Sequence, residues 1–234
     1  MRPEKDPDPN WVAALAACEP TLARHAVAEA SGESRLFAHL AREHRRAGRS
    51  SYIEIDAPLE LYAIARILRP RHVVEVGVSS GVSSAYLLQA LERNNRGTLH
   101  SIDRPKRTPT TSSSGPRSHA PSWAIPPGRY SGWAVPERLR GRWDLRIGDK
   151  KDVIPLLADD LERIDLFVYD VPHEDRKTRE EFFGLDRRLP KGAVAIADHG
   201  PGGELCTALA AWASRRRSEP IGRTGLGLYG FRCG

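Results

Sequence analysis

Cysteine, lysine and long apolar runs are scarce in this 234-residue chain. The three cysteines, Cys18, Cys206 and Cys233, are odd in number and far apart. They fit no zinc or disulfide framework, which points to a reduced, cytoplasmic protein. No apolar run approaches the ~20 residues that a bilayer-spanning helix needs, so no membrane partner is expected. The opening Met1-Arg2-Pro3-Glu4-Lys5-Asp6-Pro7 has no apolar core of the kind a secretory signal carries. Of 36 basic residues only six are lysine, and the arginines are scattered apart from short runs such as Arg215-Arg216-Arg217. A dedicated nucleic-acid binder concentrates its charge on one patch. The net charge of +6 is therefore read as a solvated surface.

What the chain does have is a core and a rhythm. Forty per cent of its residues are hydrophobic, enough for one domain with appendages. The rhythm starts at residues 71–83. Val73, Val74 and Val76 form a β-branched run that suits a strand buried on both faces. Gly77 and Gly81 turn the chain, and a helical pattern begins at Val82. A dinucleotide fold would place G-x-G-x-x-G here, closing backbone on a pyrophosphate. Instead the spacing is Glu75-x-Gly77-x-x-x-Gly81, with Ser79, Ser80 and Ser83 around the turn. A carboxylate at the strand end repels phosphate and suits a cationic or hydrogen-bond-donating ligand. The same turn also fits another Rossmann-like fold, or a plain strand-to-helix connection in which glycine only permits positive φ.

Further strands follow and end on acids. Thr98–Asp103 ends on Asp103, about twenty residues beyond the glycine turn, where a carboxylate can accept from both ribose hydroxyls. Residues 143–147 lead to Gly148-Asp149, residues 164–170 end on Asp170, and residues 193–197 run into Asp198-His199. Helical patterns separate these strands, at 82–91, 150–161, 174–188 and 204–214. The chain closes on two short segments, 219–222 and 225–232, that suit an antiparallel hairpin. Seven strand candidates in this order predict an α/β fold: a doubly wound, Rossmann-like seven-stranded sheet with a C-terminal antiparallel hairpin.

Two parts lie outside that rhythm. Helices expected at 11–17, 21–30 and 33–47 form an N-terminal extension over residues 1–50, either a lid, a dimer surface or plain packing. In the third, Leu36, Phe37 and Leu40 make the apolar stripe, with Arg and His elsewhere. The domain proper then spans 51–234, interrupted by a proline- and serine-rich insertion at 104–135. Trp123, Tyr130 and Trp133 in its second half suggest a segment over the active site, or an aromatic-anchored surface loop.

The set Glu75-x-Gly77-x-x-x-Gly81, Asp103, Asp149 and Asp170 resembles class I S-adenosylmethionine-dependent methyltransferases. The stretch Tyr169-Asp170-Val171-Pro172-His173-Glu174 resembles the Asp-x-x-His segment of the family called methyltransferase domain 24. The resemblance implies a small-molecule methyltransferase, with hydroxyl methylation favoured over amine. It implies S-adenosylmethionine held by Glu75, Gly77, Ser79, Ser80, Gly81, Ser83, Asp103, Asp149 and Asp170, with Asp149 beside the adenine amino group. It places catalysis on Asp170, His173 and His199. Catechol-type relatives hold Mg²⁺ through an Asp after the fourth strand and an Asp-Asn after the fifth. Asp170 and Asp198 match two of those positions, and His199 departs from the third. Three readings follow: a divalent ion (Mg²⁺, Mn²⁺ or similar) on Asp170, Asp198 and His199, a metal-free site with a His base, or carboxylates that are only structural. Two rival readings are a non-catalytic relative that keeps the cofactor pocket and acts as an interaction partner, and a nicotinamide-dependent oxidoreductase. The N-terminal helices and the terminal hairpin are the surfaces through which a homodimer could form.

Overall fold

The structure is a computed structural model that describes residues 6–48, 58–105, 125–170, 175–198, 205, 207–223 and 227–234, with side chains left undescribed at 175–179. Three helices come first: α1 (Pro9–Ala16), α2 (Pro20–Ser31) and α3 (Ser34–Arg46). The Asp8 carboxylate starts α1 by accepting from the amides of Asn10 (2.9 Å) and Trp11 (3.2 Å), with Pro9 preset for the first turn. Then α4 (Pro58–Leu68), β1 (His72–Val76), α5 (Val82–Arg93) and β2 (Thr98–Asp103) follow. A 3-10 turn (Glu137–Arg142) precedes β3 (Trp143–Ile147), where the other strand-to-strand crossovers carry a full helix. The chain continues through α6 (Lys150–Asp160), β4 (Leu166–Tyr169), α7 (Asp175–Leu185), β5 (Val194–Asp198) and α8 (Thr207–Arg215), and closes with β6 (Ile221–Arg223) and β7 (Leu228–Arg232).

The seven strands form one sheet in the order β3-β2-β1-β4-β5-β7-β6. The first five are parallel, whereas β7 runs antiparallel to β5 and pairs with β6 as a hairpin. This is the doubly wound sheet with a C-terminal hairpin that the sequence predicts. The strand order reverses between β2 and β4 on either side of β1, so the crevice of such a sheet opens at the carboxyl end of β1.

The period-2 alternation of the strands separates two apolar clusters. Val73, Leu99, Leu166, Val168, Val194 and Ile196 face one side with the helices α1 to α5. Val74, Val76, Ile102, Phe167, Tyr169, Ala195 and Ala197 face the other with α6, α7 and α8. In the second cluster Phe167, Phe182, Trp212 and Phe231 form a chain of edge-to-face contacts at 5.0, 5.2 and 5.7 Å. Each such pair adds about 0.5–1.5 kcal/mol beyond its burial.

The N-terminal helices share the first cluster with the sheet: Trp11, Leu15, Leu36 and Leu40 pack in one group with Val73 and Leu88. Trp11 Nε1 donates to the Ile221 carbonyl at 2.8 Å, and Arg223 pairs with the buried Glu60 at 3.1 Å. The first helix is thereby tied to the last hairpin. The apolar stripe of α3 is wider than its aliphatic residues suggest. His44 continues the Leu36–Leu40 spacing and is buried, while Phe37 lies at the margin. Among the described residues no helix is long and apolar enough to cross a membrane.

Candidate active site at the carboxyl ends of the strands

The acidic strand ends converge because the strands are parallel and in register. Val76 pairs with both Ile102 and Tyr169, and Tyr169 pairs with Ala197. Hence Asp103 follows one neighbour of Val76, Asp170 follows the other, and Asp198 ends the strand after that. The Gly77 amide donates to the Ile102 carbonyl (2.9 Å) and the Asp170 amide to the Val76 carbonyl (2.8 Å), so the ladder runs into the turn. The Gly148 amide donates to the Asp103 carbonyl (3.0 Å), which brings Asp149 beside it.

Glu75 points to the side of α5 and is fully buried. Its Oε1 accepts from Ser83 Oγ (2.6 Å), and its Oε2 accepts from Ser84 Oγ (2.6 Å) and Ser101 Oγ (2.7 Å). Burial pushes its pKa up, against the pull of the three hydroxyls. The acid thus locks the first turn of α5 to β1 and β2, and its oxygens meet hydroxyls. Ser84 and Ser101 are partners that the sequence reading did not identify. No periodic signal marks them, since a serine on a buried helix turn reads as a small filler until the acid beneath it is placed.

The turn itself needs glycine at Gly81. Its φ is +87°, and a Cβ there would lie 2.6 Å from Val135 Cγ2 and 2.9 Å from the Cα of Gly132. The contact identifies what covers the turn: the described end of the insertion, residues 125–135. The Gly132 amide donates to the Ser79 carbonyl (2.7 Å) and the Ala134 amide to the Ser80 carbonyl (3.0 Å). Ser131 Oγ donates a short hydrogen bond to Asp103 Oδ2, while the Val78 amide reaches Oδ1 at 3.3 Å. The acid expected to grip a ribose is therefore nearly buried and already holds a hydroxyl.

A second layer braces this cover. His44 Nε2 lies 3.2 Å from Ser80 Oγ, its ring packs 4.8 Å from that of Trp133, and its Nδ1 lies 2.8 Å from the Leu40 carbonyl. His39 Nε2 is 3.1 Å from the Ala134 carbonyl. The helix α3 thus reaches both the glycine turn and its cover, a contact hidden in the sequence because His44 reads there as a polar residue.

Asp149 caps α6 by accepting from the Lys151 amide (3.2 Å) and pairs with Arg104 at 2.7 Å. That backbone hydrogen bond, with Arg104 beside it, holds its carboxyl below the usual range. Asp170 and Asp198 are half-buried at the ends of two paired strands. His173 and His199 lie outside the described residues. Among those described, no group of three or more His, Cys, Asp or Glu is placed to hold a metal, so the proposed set of Asp170, Asp198 and His199 is represented by its two carboxylates alone. Their oxygens suit a hard divalent ion, and the third position is the one that departs from the catechol-type pattern.

Residues 74–199, more than half of the chain, match the methyltransferase-domain family to which the acid-ended strands belong. A comparison with functionally curated proteins found no match. Among solved structures, the calicheamicin methyltransferase CalS11 is similar over 76% of this chain and 78% of its own, at 17% identity and a TM-score of 0.54. A methyltransferase of Geobacter sulfurreducens is similar over 85% of this chain and 90% of its own, at 20% identity and a TM-score of 0.52. The O-methyltransferase TomG of Streptomyces achromogenes, involved in tomaymycin synthesis and solved with S-adenosylmethionine, has the same coverage at 19% identity and a TM-score of 0.52. At these identities the likeness is one of fold. The matched segment begins inside β1 and runs through Glu75, Asp103, Asp149, Asp170 and Asp198 to His199, and on that ground this chain belongs to the methyltransferase-domain family, as an S-adenosylmethionine-dependent methyltransferase.

Proposed function

We propose that the protein methylates a hydroxyl of a small-molecule acceptor. The observation that carries this reading is the pairing of two half-buried acids, Asp170 and Asp198, on adjacent strands beside the glycine turn. The naming of TomG as an O-methyltransferase supports it. The donor set also suits the cofactor. Among the described residues the crevice presents carboxylates and hydroxyls, and two basic side chains beside it, Arg104 and Lys150, are paired with Asp149 and Glu181. That chemistry favours a sulfonium and an amino group over a phosphate.

In this reading Gly77, Ser79, Ser80, Gly81 and Ser83 form the floor under the cofactor. Glu75 holds that floor in place through the hydroxyls of Ser83, Ser84 and Ser101. Asp103 takes the ribose hydroxyls once the Ser131 hydroxyl gives way, and Asp149 lies towards the adenine. When bound, S-adenosylmethionine supplies an electrophilic methyl carbon. Sulfur would serve as the leaving group, keeping the electron pair of its bond to the methyl that the acceptor oxygen receives. The protein's work is to align the oxygen and to take its proton. His173 or His199 is the proposed base, with Asp170 orienting the acceptor. A divalent ion would be held by Asp170, Asp198 and His199, where it would lower the acidity threshold of the hydroxyl.

Calorimetry with S-adenosylmethionine and S-adenosylhomocysteine tests the cofactor. Sub-millimolar binding of either is expected, and failure of both would remove the reading. Screening hydroxylated small molecules for methyl transfer, with and without chelator, tests the rest. Activity that survives chelation and disappears in His173→Ala or His199→Ala assigns the base to histidine. Activity lost on chelation and restored by Mg²⁺ or Mn²⁺ assigns it to the metal. A cofactor-binding protein that methylates nothing would favour a role as an interaction partner.

A further inference from the structure

We propose that the opposite end of the sheet carries a second binding site, for a phosphate-type oxyanion, formed by Arg71, His72 and Arg96. An open cleft of about 380 Å³ lies there, lined by Arg71, His72, Arg96, Gly97 and Thr98. Ligand sites span roughly 300–1,000 Å³, so the space suffices for one small group.

Local structure brings the two arginines together. Pro70 stops α4, Arg71 follows it, and His72 opens β1. The turn after α5 carries Arg96, and its register is set by the Thr98 amide donating to the Arg71 carbonyl at 3.0 Å. Gly97, at φ +94°, is pressed so closely on the Pro70 carbonyl that a Cβ would collide with it. Arg96 is therefore held beside Arg71 by backbone.

Most arginines of this end are already engaged with protein. Arg66 binds Glu29, Arg69 the Asn94 carbonyl, Arg142 both Glu92 and Asn95, and Arg163 Asp165. The guanidinium groups of Arg71 and Arg96 have no hydrogen bond or ion pair among the described residues. Both residues are exposed and both line the cleft. The acid beside the start of β1, Asp165, accepts from the amides of Arg71 (2.7 Å) and His72 (3.2 Å) and from Arg163 Nε (2.7 Å), so both its oxygens are already engaged.

The third group is linked to a proton relay. His72 Nδ1 lies 3.1 Å from His100 Nε2, and His100 Nδ1 lies 3.1 Å from Asp144 Oδ2, which also accepts from Arg146 Nε at 3.0 Å. With Asp144 accepting, His100 carries its proton on Nδ1 and accepts on Nε2, so His72 donates from Nδ1. The position left to take up a proton is His72 Nε2. Burial, His100, Arg71 and Arg163 hold its pKa low, with Asp165 opposing. Two guanidinium forks, joined by His72 Nε2 when an anion draws a proton onto it, make a donor set that suits a phosphate-type oxyanion.

The test titrates inorganic phosphate into the full chain at constant ionic strength, followed by calorimetry and by NMR of the imidazole resonances. Saturable shifts of His72 and His100 are expected, with the His72 titration midpoint rising on binding. The Arg71→Ala/Arg96→Ala variant should weaken phosphate by at least about tenfold and leave S-adenosylhomocysteine binding unchanged. Arg96→Gln alone serves if the double variant does not fold. Non-saturable shifts, equal affinity in wild type and variant, or binding confined to a polyanion such as RNA would overturn the site.

Discussion

At the carboxyl ends of β1 to β5 the chain places Glu75, Asp103, Asp149, Asp170 and Asp198, whereas the amino ends of β1 and β2 carry Arg71, His72 and Arg96, with His100 further along β2. Part of this opposition is built into a doubly wound sheet. Each strand's carboxyl end feeds a helix N-terminus, which favours acids, and each amino end follows a helix C-terminus, which favours cations. The sign of charge at either end is therefore weak grounds for function. The difference in satisfaction is stronger. Glu75, Asp103 and Asp149 are spent on hydroxyls, amides and Arg104, so the crevice is a rigid acidic frame. At the other end Asp144 and Asp165 are spent, and the two arginines of the cleft are not.

The largest expected effect falls on the acidic end. Asp103→Ala removes the acceptor proposed for the ribose and should weaken S-adenosylhomocysteine by about 10- to 100-fold in calorimetry. An unchanged affinity would break the comparison, since Asp103 would then be a capping residue like Asp165. Next comes Glu75→Gln. Because burial raises the folded-state pKa of Glu75, its protonated form is favoured in the fold. Stability linked to it is present below the ordinary carboxylate pKa and is lost as pH rises through the folded value. Thermal melts from about pH 4 to pH 8 should show that loss in the wild type and not in the Gln variant.

Much of the frame was readable before the structure. Strands ending on an acid, spaced by helical patterns, are periodic signals, and Asp103, Asp149, Asp170 and Asp198 all fall on strand ends or the residues just beyond. The partners of those acids were not readable. Ser131 meets Asp103 across 28 positions, and His44 meets Ser80 across 36, with only an irregular insertion or a helix face between them. Hydrogen bonds between distant polar residues have no period. The relay His72–His100–Asp144 was hidden for a different reason: its members stand at strand positions normally read only for hydrophobic alternation.

Ser131→Ala sharpens the picture of the crevice with a smaller effect of opposite sign. The Ser131 hydroxyl occupies one oxygen of Asp103, and a ribose hydroxyl would have to displace it. Removing it should tighten S-adenosylhomocysteine by about fivefold, the worth of one net hydrogen bond. A loss of affinity instead would mean that Ser131 helps to hold the cofactor.

The smallest effect is expected from Asp144→Asn at the basic end. Asp144 is more than a third exposed, and burial alone would raise its pKa, but His100 and Arg146 hold it below the usual carboxylate range. Its stabilising contribution is therefore present above the ordinary carboxylate pKa and disappears as pH falls through the folded value. Solvent screening limits that contribution to less than about 1 kcal/mol, or roughly 2–4 °C in melting temperature for a chain of this size. The asparagine oxygen can still accept from His100 Nδ1, so the direction of the relay survives and only the charge is lost. Without that charge at the end of the relay, His72 takes up a proton less readily. The midpoint of phosphate-linked proton uptake should move to lower pH while S-adenosylhomocysteine affinity stays constant. A variant that weakened the cofactor would couple the two ends of the sheet, and the contrast between a spent acidic crevice and an unspent basic cleft would no longer describe two separate sites.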